Sequence, residues 1–88
     1  MSSQKLRDAS DVLREAATAI DGNAGDRLAE QADRLGTLAD RDRGPDHGTV
    51  ARHQQKLKDI TADEPTATDA VNEANDLLNA YRETIEGV

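Results

Sequence analysis

"DRDRGPDHGTVARH", residues 40–53, separates two amphipathic runs, and its reading decides the fold. Gly44 suits the position just beyond a helix, and Pro45 cannot continue one. Asp46 is then placed to cap a new helix that begins with His47. On this reading Arg41 and Arg43 lie in the last turn of the preceding helix, where cations complement the negative end of the dipole. The stretch is a corner at which the chain reverses.

On both sides of that corner, apolar residues recur at steps of three and four, the helical period. Leu6, Ala9, Leu13, Ala16 and Ile20 form one stripe; Ala24, Leu28, Ala32, Leu35, Leu38 and Ala39 form a second. Val50, Leu57 and Ile60 form a third. Ala67, Val71, Ala74, Leu78, Tyr81, Ile85 and Val88 form the fourth, widened by Ala70 and Leu77. Gly22 fits the left-handed position after the first helix, with Asn23 as cap of the second and Asp26 three residues on. Pro65 breaks the chain again, and Thr66 with Asp69 starts the last helix. The spacing predicts helices over roughly 3–21, 24–43, 46–61 and 66–87. With connections this short, the expected fold is all-α: one domain, residues 1–88, forming an antiparallel up-down-up-down four-helix bundle.

The composition agrees with helices rather than sheet. Fourteen of the 88 residues are Ala, while Phe and Trp are absent and Tyr81 is the one aromatic residue. Ala loses no side-chain entropy in a helix, whereas sheets favour β-branched and aromatic residues. The absence of cysteine excludes disulfides and thiolate chemistry. No apolar run approaches the roughly 20 residues of a membrane span, and the charged start "MSSQKLRDAS" does not read as a secretory signal. A soluble, cytoplasmic protein is expected.

Two polar residues interrupt the stripes. Gln31 falls between Leu28 and Leu35, and His53 between Val50 and Leu57. Folding about Gly44-Pro45 brings them to nearly the same height. A polar layer of Gln31 and His53 in mid-bundle is expected, with Asn75 at its edge, setting helix register as buried polar residues do in coiled coils.

Charge is unevenly spread. Residues 41–58 carry five Lys or Arg against two Asp, a net of +3, and residues 59–88 carry Arg82 against eight carboxylates, a net of −7. The candidate interaction patch is Arg41, Arg43, Arg52, His53, Lys56 and Tyr81, with Tyr81 as an anchor should it reach the rim. The plainer expectation is that the basic third helix lies beside the acidic fourth and the two compensate, with Tyr81 in the core. Nucleic-acid binding is the alternative use of the patch. The overall charge of −7 and the lack of interleaved aromatics weigh against it.

Chemistry is sparse elsewhere. Asp40, Asp42, Asp46 and His47 have a partial calcium-loop spacing, but Gly44 stands at the fifth position and no glutamate closes the loop, so no metal site is expected. Ser2, Ser3 and Ser10 crowd the start of the chain, away from both histidines, and no catalytic residues are assigned. The expectation is a non-enzymatic chain without a cofactor, acting as a protein-interaction or assembly module with a protein partner or a second copy of itself.

The runs "LADRDRGPDHGTVARHQQKLKDI" (residues 38–60) and "AYRETIEGV" (residues 80–88) are similar to a family of small acidic haloarchaeal proteins of unknown function. The resemblance covers nearly the whole chain and implies a halophilic archaeal source and a helical fold, with no activity or cofactor. Composition points the same way: 12 Asp exceed 6 Glu, and 8 Arg exceed 3 Lys. At about 1 M salt the Debye length falls to ~3 Å, which screens repulsion among such carboxylates.

Overall fold

A computed structural model describes residues 3–85. It contains four α-helices: α1 (Ser3–Ala19), α2 (Gly22–Ala39), α3 (His47–Asp63) and α4 (Thr68–Arg82), the last preceded by a single 3₁₀ turn, Pro65–Ala67. No strand occurs among the described residues. Each helix packs on its neighbours in sequence, and α4 closes back onto α1, which gives an up-down-up-down bundle. The cross-links between helices show the antiparallel sense. Arg7 pairs with Asp40 and Arg14 with Asp33; Arg27 pairs with Asp63 while His53 meets Gln31. His47 meets Arg82 while Gln54 meets Asn79. In each of these three pairs of neighbours, one number rises as the other falls.

The four stripes meet along one seam. Leu6, Leu13, Leu28, Leu35, Val50, Leu57, Ile60, Val71 and Leu78 are fully enclosed, and Ala9, Ala32, Ala67 and Ala74 fill the gaps between them. Small residues let α1 and α2 come especially close. Ser10 is buried and its hydroxyl donates to the Ala32 carbonyl oxygen at 2.7 Å. A Cβ added at Gly36 would lie 3.5 Å from Ser10 Oγ. At Gly25 an added Cβ would collide with the backbone carbonyl of Ile20.

Helix ends depart from the sequence expectation most clearly in four places, both ends of α2 and both ends of α4. The second helix stops at Ala39, so Arg41 and Arg43 belong to the connection, residues 40–46, and not to a final helical turn. Asp40 N–H divides between Gly36 and Thr37 oxygens at 3.2 Å each, and Arg41 N–H bonds the Leu38 oxygen, so bonding tightens to the three-residue step before Gly44 is reached. At the start of the same helix Asp21, not Asn23, is the flanking residue, and it makes no side-chain cap. Gly22, at φ +81°, supplies the left-handed step that turns the chain from α1.

The last helix also differs. Thr66 does not cap it: its hydroxyl donates to Glu64 Oε2, and the chain passes through the 3₁₀ turn instead. α4 ends at Arg82 rather than near 87, because the Thr84 N–H and hydroxyl both turn back on the Tyr81 oxygen, at 2.9 and 2.6 Å. The expected continuation to 87 and the apolar position at Val88 fall partly or wholly on 86–88, outside the described residues.

Asp46 caps α3, its Oδ1 accepting from Thr49 N–H at 2.8 Å. That hydrogen bond, then one from the Thr49 side chain, holds the Asp46 carboxyl below the usual carboxylate range. A lowered folded pKa stabilises the fold above the unfolded value of about 4 and ceases to do so as pH falls through the folded value. Asp46→Asn is therefore expected to lower the melting temperature near neutral pH and to narrow its difference from wild type as the pH is lowered through that range. Melting curves collected across the acid limb check it; a constant difference at every pH would contradict it.

Candidate functional site

The polar interior has two parts. His53 Nδ1–H donates to Gln31 Oε1 at 2.7 Å, joining α3 to α2 in mid-bundle. An amide oxygen can only accept, so the proton sits on Nδ1 and the neutral ring keeps its lone pair on Nε2. Gln31 is almost fully buried and His53 is half-buried. Burial first, then the charges of Lys56, Arg34 and Arg52, hold the imidazolium form of His53 below the ordinary histidine range.

Asn75 takes no part in that pair. Its side-chain oxygen is buried without a partner among the described residues, and its backbone oxygen accepts from Gln54 Nε2 at 3.4 Å. The α3–α4 half of the interior is built by residues the sequence reading passed over. Gln54 Nε2 donates to Asn79 Oδ1 at 2.8 Å. Arg82 reaches from α4 to donate to Gln54 Oε1 at 3.0 Å and to His47 Nδ1 at 3.2 Å. Gln54 lies four residues after Val50 and three before Leu57. That spacing places it on the inward face as surely as it places His53 there.

Tyr81 is a core residue, 4% exposed, with its hydroxyl donating to the Pro45 oxygen at 2.9 Å. Burial, and secondarily Asp46, push that hydroxyl's pKa up. Tyr81 latches the corner from within and offers no anchor to a partner. Two of the three acidic residues of the corner are engaged too: Asp40 pairs with Arg7 and Asp46 caps α3, while His47 accepts from Arg82. Among the described residues no group of three His, Asp or Glu is placed to hold a metal ion.

α3 lies beside α4 as expected, but the expected compensation between them is not made through direct ion pairs among the described residues. Among the described residues the ion pairs are Arg7–Asp40, Arg14–Asp33, Arg27–Asp63 and Arg34–Glu30. None joins a cation of α3 to a carboxylate of α4, and two of α4's three carboxylates, Asp69 and Glu73, turn towards α1. Asp69 and Glu73 of α4, with Glu15 of α1, edge an open groove of about 390 Å³. Its floor is Val12, Ala16, Ala19 and Ala70. Exposed Arg52 and Lys56 thus stand outside any ion pair among the described residues, as do Arg41 and Arg43. A second open groove, about 330 Å³ between α2 and α3, is lined by Asp33, Arg34, Thr37, Leu38, Arg41 and His53. The bundle has an acidic, apolar-floored groove at α1–α4 and a cation-rich one at α2–α3.

A family model described as a family of unknown function, DUF7553, matches residues 1–84. The chain belongs to this family. No curated protein and no solved structure matches it. In this DUF7553 member, the features that bear on function are the four-helix arrangement and its surface grooves, those at α1–α4 and α2–α3 among them. Among the described residues no helix is long and apolar enough to cross a membrane.

Proposed function

We propose that the chain is a non-enzymatic protein-interaction module that seats a basic amphipathic helix of a partner protein in the α1–α4 groove. The observation that carries this reading is the groove's composition: an apolar floor of Val12, Ala16, Ala19 and Ala70, edged by Glu15, Asp69 and Glu73 and, among the described residues, by no cation. Helix-in-groove recognition combines an apolar strip with flanking charges that set orientation. The carboxylates select a Lys- or Arg-flanked helix, and the small floor residues let its backbone approach closely.

A second reading, nucleic-acid binding, is favoured by Arg41, Arg43, Arg52 and Lys56 standing outside ion pairs among the described residues. His53 belongs to the same face. Net charge −7 and the burial of Tyr81 count against it.

Affinity capture from native cytoplasm at native salt, with three baits, separates the readings. The wild-type bait is expected to retain protein that a Glu15→Lys, Glu73→Lys bait does not. Both substituted positions are exposed, so the bundle tolerates them. Retention of nuclease-sensitive material, lost with an Arg52→Glu, Lys56→Glu bait, would favour the nucleic-acid reading instead. Recovery of the chain itself would make the partner a second copy.

The setting we propose is the cytoplasm of a halophilic archaeon, on the strength of the Asp and Arg bias and a net charge of −7. Screening relieves carboxylate repulsion, and salting-out conditions strengthen burial of a core this poor in large side chains. Helicity and melting temperature are expected to rise as KCl goes from tens of millimolar to molar. Circular dichroism would show it, and a flat response would remove the proposed salt adaptation.

A further inference from the structure

We infer that the α2–α3 groove is a proton-linked site for a small dianion, phosphate or a compact phosphate monoester, held by Arg34, Arg41 and Nε2 of His53. This site lies between a different pair of helices from the proposed helix-binding groove, and neither assignment depends on the other.

Three features converge. Arg34, Thr37 and Leu38 succeed one another along one side of α2, and Arg41 follows just past its end, so the two guanidinium groups flank a single opening. His53 faces the same opening from α3. Its ring is not free to turn, because Nδ1–H is tied to the buried Gln31 amide, which leaves Nε2 as the nitrogen without a partner among the described residues. A volume of about 330 Å³ accommodates a tetrahedral dianion with a short organic substituent.

The charges around the imidazole set the direction of linkage. From α2 and its end come Asp33, Arg34 and Arg41, with Glu30 beside Arg34; from α3 come Arg52 and Lys56. Asp33 is already held by Arg14 of α1 at 2.9 Å. Arg34 donates to Glu30 Oε1 through Nε at 3.2 Å and Nη2 at 3.0 Å. It therefore offers the groove its Nη1 and a partly compensated charge, and Arg41 is the groove-lining cation outside any ion pair among the described residues. The neighbours that act on His53 by charge are Lys56, Arg34 and Arg52, all cationic, and with burial they disfavour its protonation. A bound dianion offsets those cations, so the imidazole takes up a proton at Nε2 and donates it as a charge-assisted hydrogen bond. Binding therefore strengthens as pH falls towards the free protein's His53 pKa, by at most about tenfold per pH unit for one linked proton. Above the raised pKa of the complex, affinity levels off. Gln31 is a positioning residue here, touching only the ring.

The test follows the His53 ring resonances by NMR through a pH titration, in the lowest KCl at which the full chain is completely helical. Sulfate is the probe, since it stays dianionic throughout and does not add its own titration. Added sulfate is expected to raise the His53 midpoint, whereas chloride at matched ionic strength leaves it nearly unchanged. Arg41→Gln should weaken sulfate binding about tenfold and remove the shift. Arg43→Gln, in the same exposed connection but outside the groove lining, should retain both. Equal shifts from sulfate and chloride, or identical behaviour of the two arginine variants, would overturn the assignment.

Discussion

Gly25→Ala is expected to destabilise the bundle by about 2–4 kcal/mol, opposite in sign to the ~1 kcal/mol gain that replacing Gly with Ala brings in an unconstrained helix. The reason is the approach of α2's first turn to the end of α1. A Cβ at residue 25 would collide with the Ile20 carbonyl group and stand 3.3 Å from the Ala17 carbonyl oxygen. Both obstacles are backbone, so no side-chain rotation relieves the overlap. The end of α1 would have to move, and the seam held by the Ser10–Ala32 hydrogen bond would open with it. For a domain of this size, each kcal/mol corresponds to roughly 4–8 °C in melting temperature, so thermal unfolding should report a large drop. A rise in melting temperature would mean that the two helices do not approach this closely.

Leu13→Ala is expected to cost about 3–5 kcal/mol, and Leu57→Ala about 2–3 kcal/mol, although both leucines are fully buried. The cost of a core truncation depends on how far the surroundings can collapse into the space. Leu13 lies on α1, which packs closely against both α2 and α4 and cannot shift without disturbing two seams. Leu57 lies on α3, which is held less closely by its neighbours and borders the open α2–α3 groove. Total stability for a chain of this length is on the order of 4–13 kcal/mol, so the Leu13 variant loses roughly a quarter of it or more. Urea unfolding of the two variants under one salt condition gives the comparison. Equal costs, or a reversed order, would show that α3 is packed as tightly as α1.

Much of the architecture was legible in sequence because its causes are local. The three-and-four spacing of Leu, Ile, Val and Ala marks which side of each rod is apolar, and every position that spacing assigned to a core between Leu6 and Tyr81 is buried or half-buried. Pro45 and Asp46 act through their own backbone and the next turn, so the corner and its cap could be read directly. The pairing of Gln31 with His53 needed only the direction of chain reversal and the helical rise. Gln54 stood in the same periodic frame and could have been found by the same rule.

Other features depend on how rods rotate and close against one another, which periodicity does not encode. Whether Asp69 and Glu73 of α4 meet α3's cations or turn towards α1 is a matter of a modest rotation about the α4 axis. Packing settled it by placing Leu78, Val71 and Tyr81 in the seam. The two grooves, the burial of Tyr81 against Pro45, and the steric reason for Gly25 arise from the same closure. Sequence alone determined the helices, their inward faces and the place where the chain turns, since those follow from neighbours three and four residues apart. Tertiary structure alone decided which charges remain available to a partner, since that depends on which helix each charged flank faces.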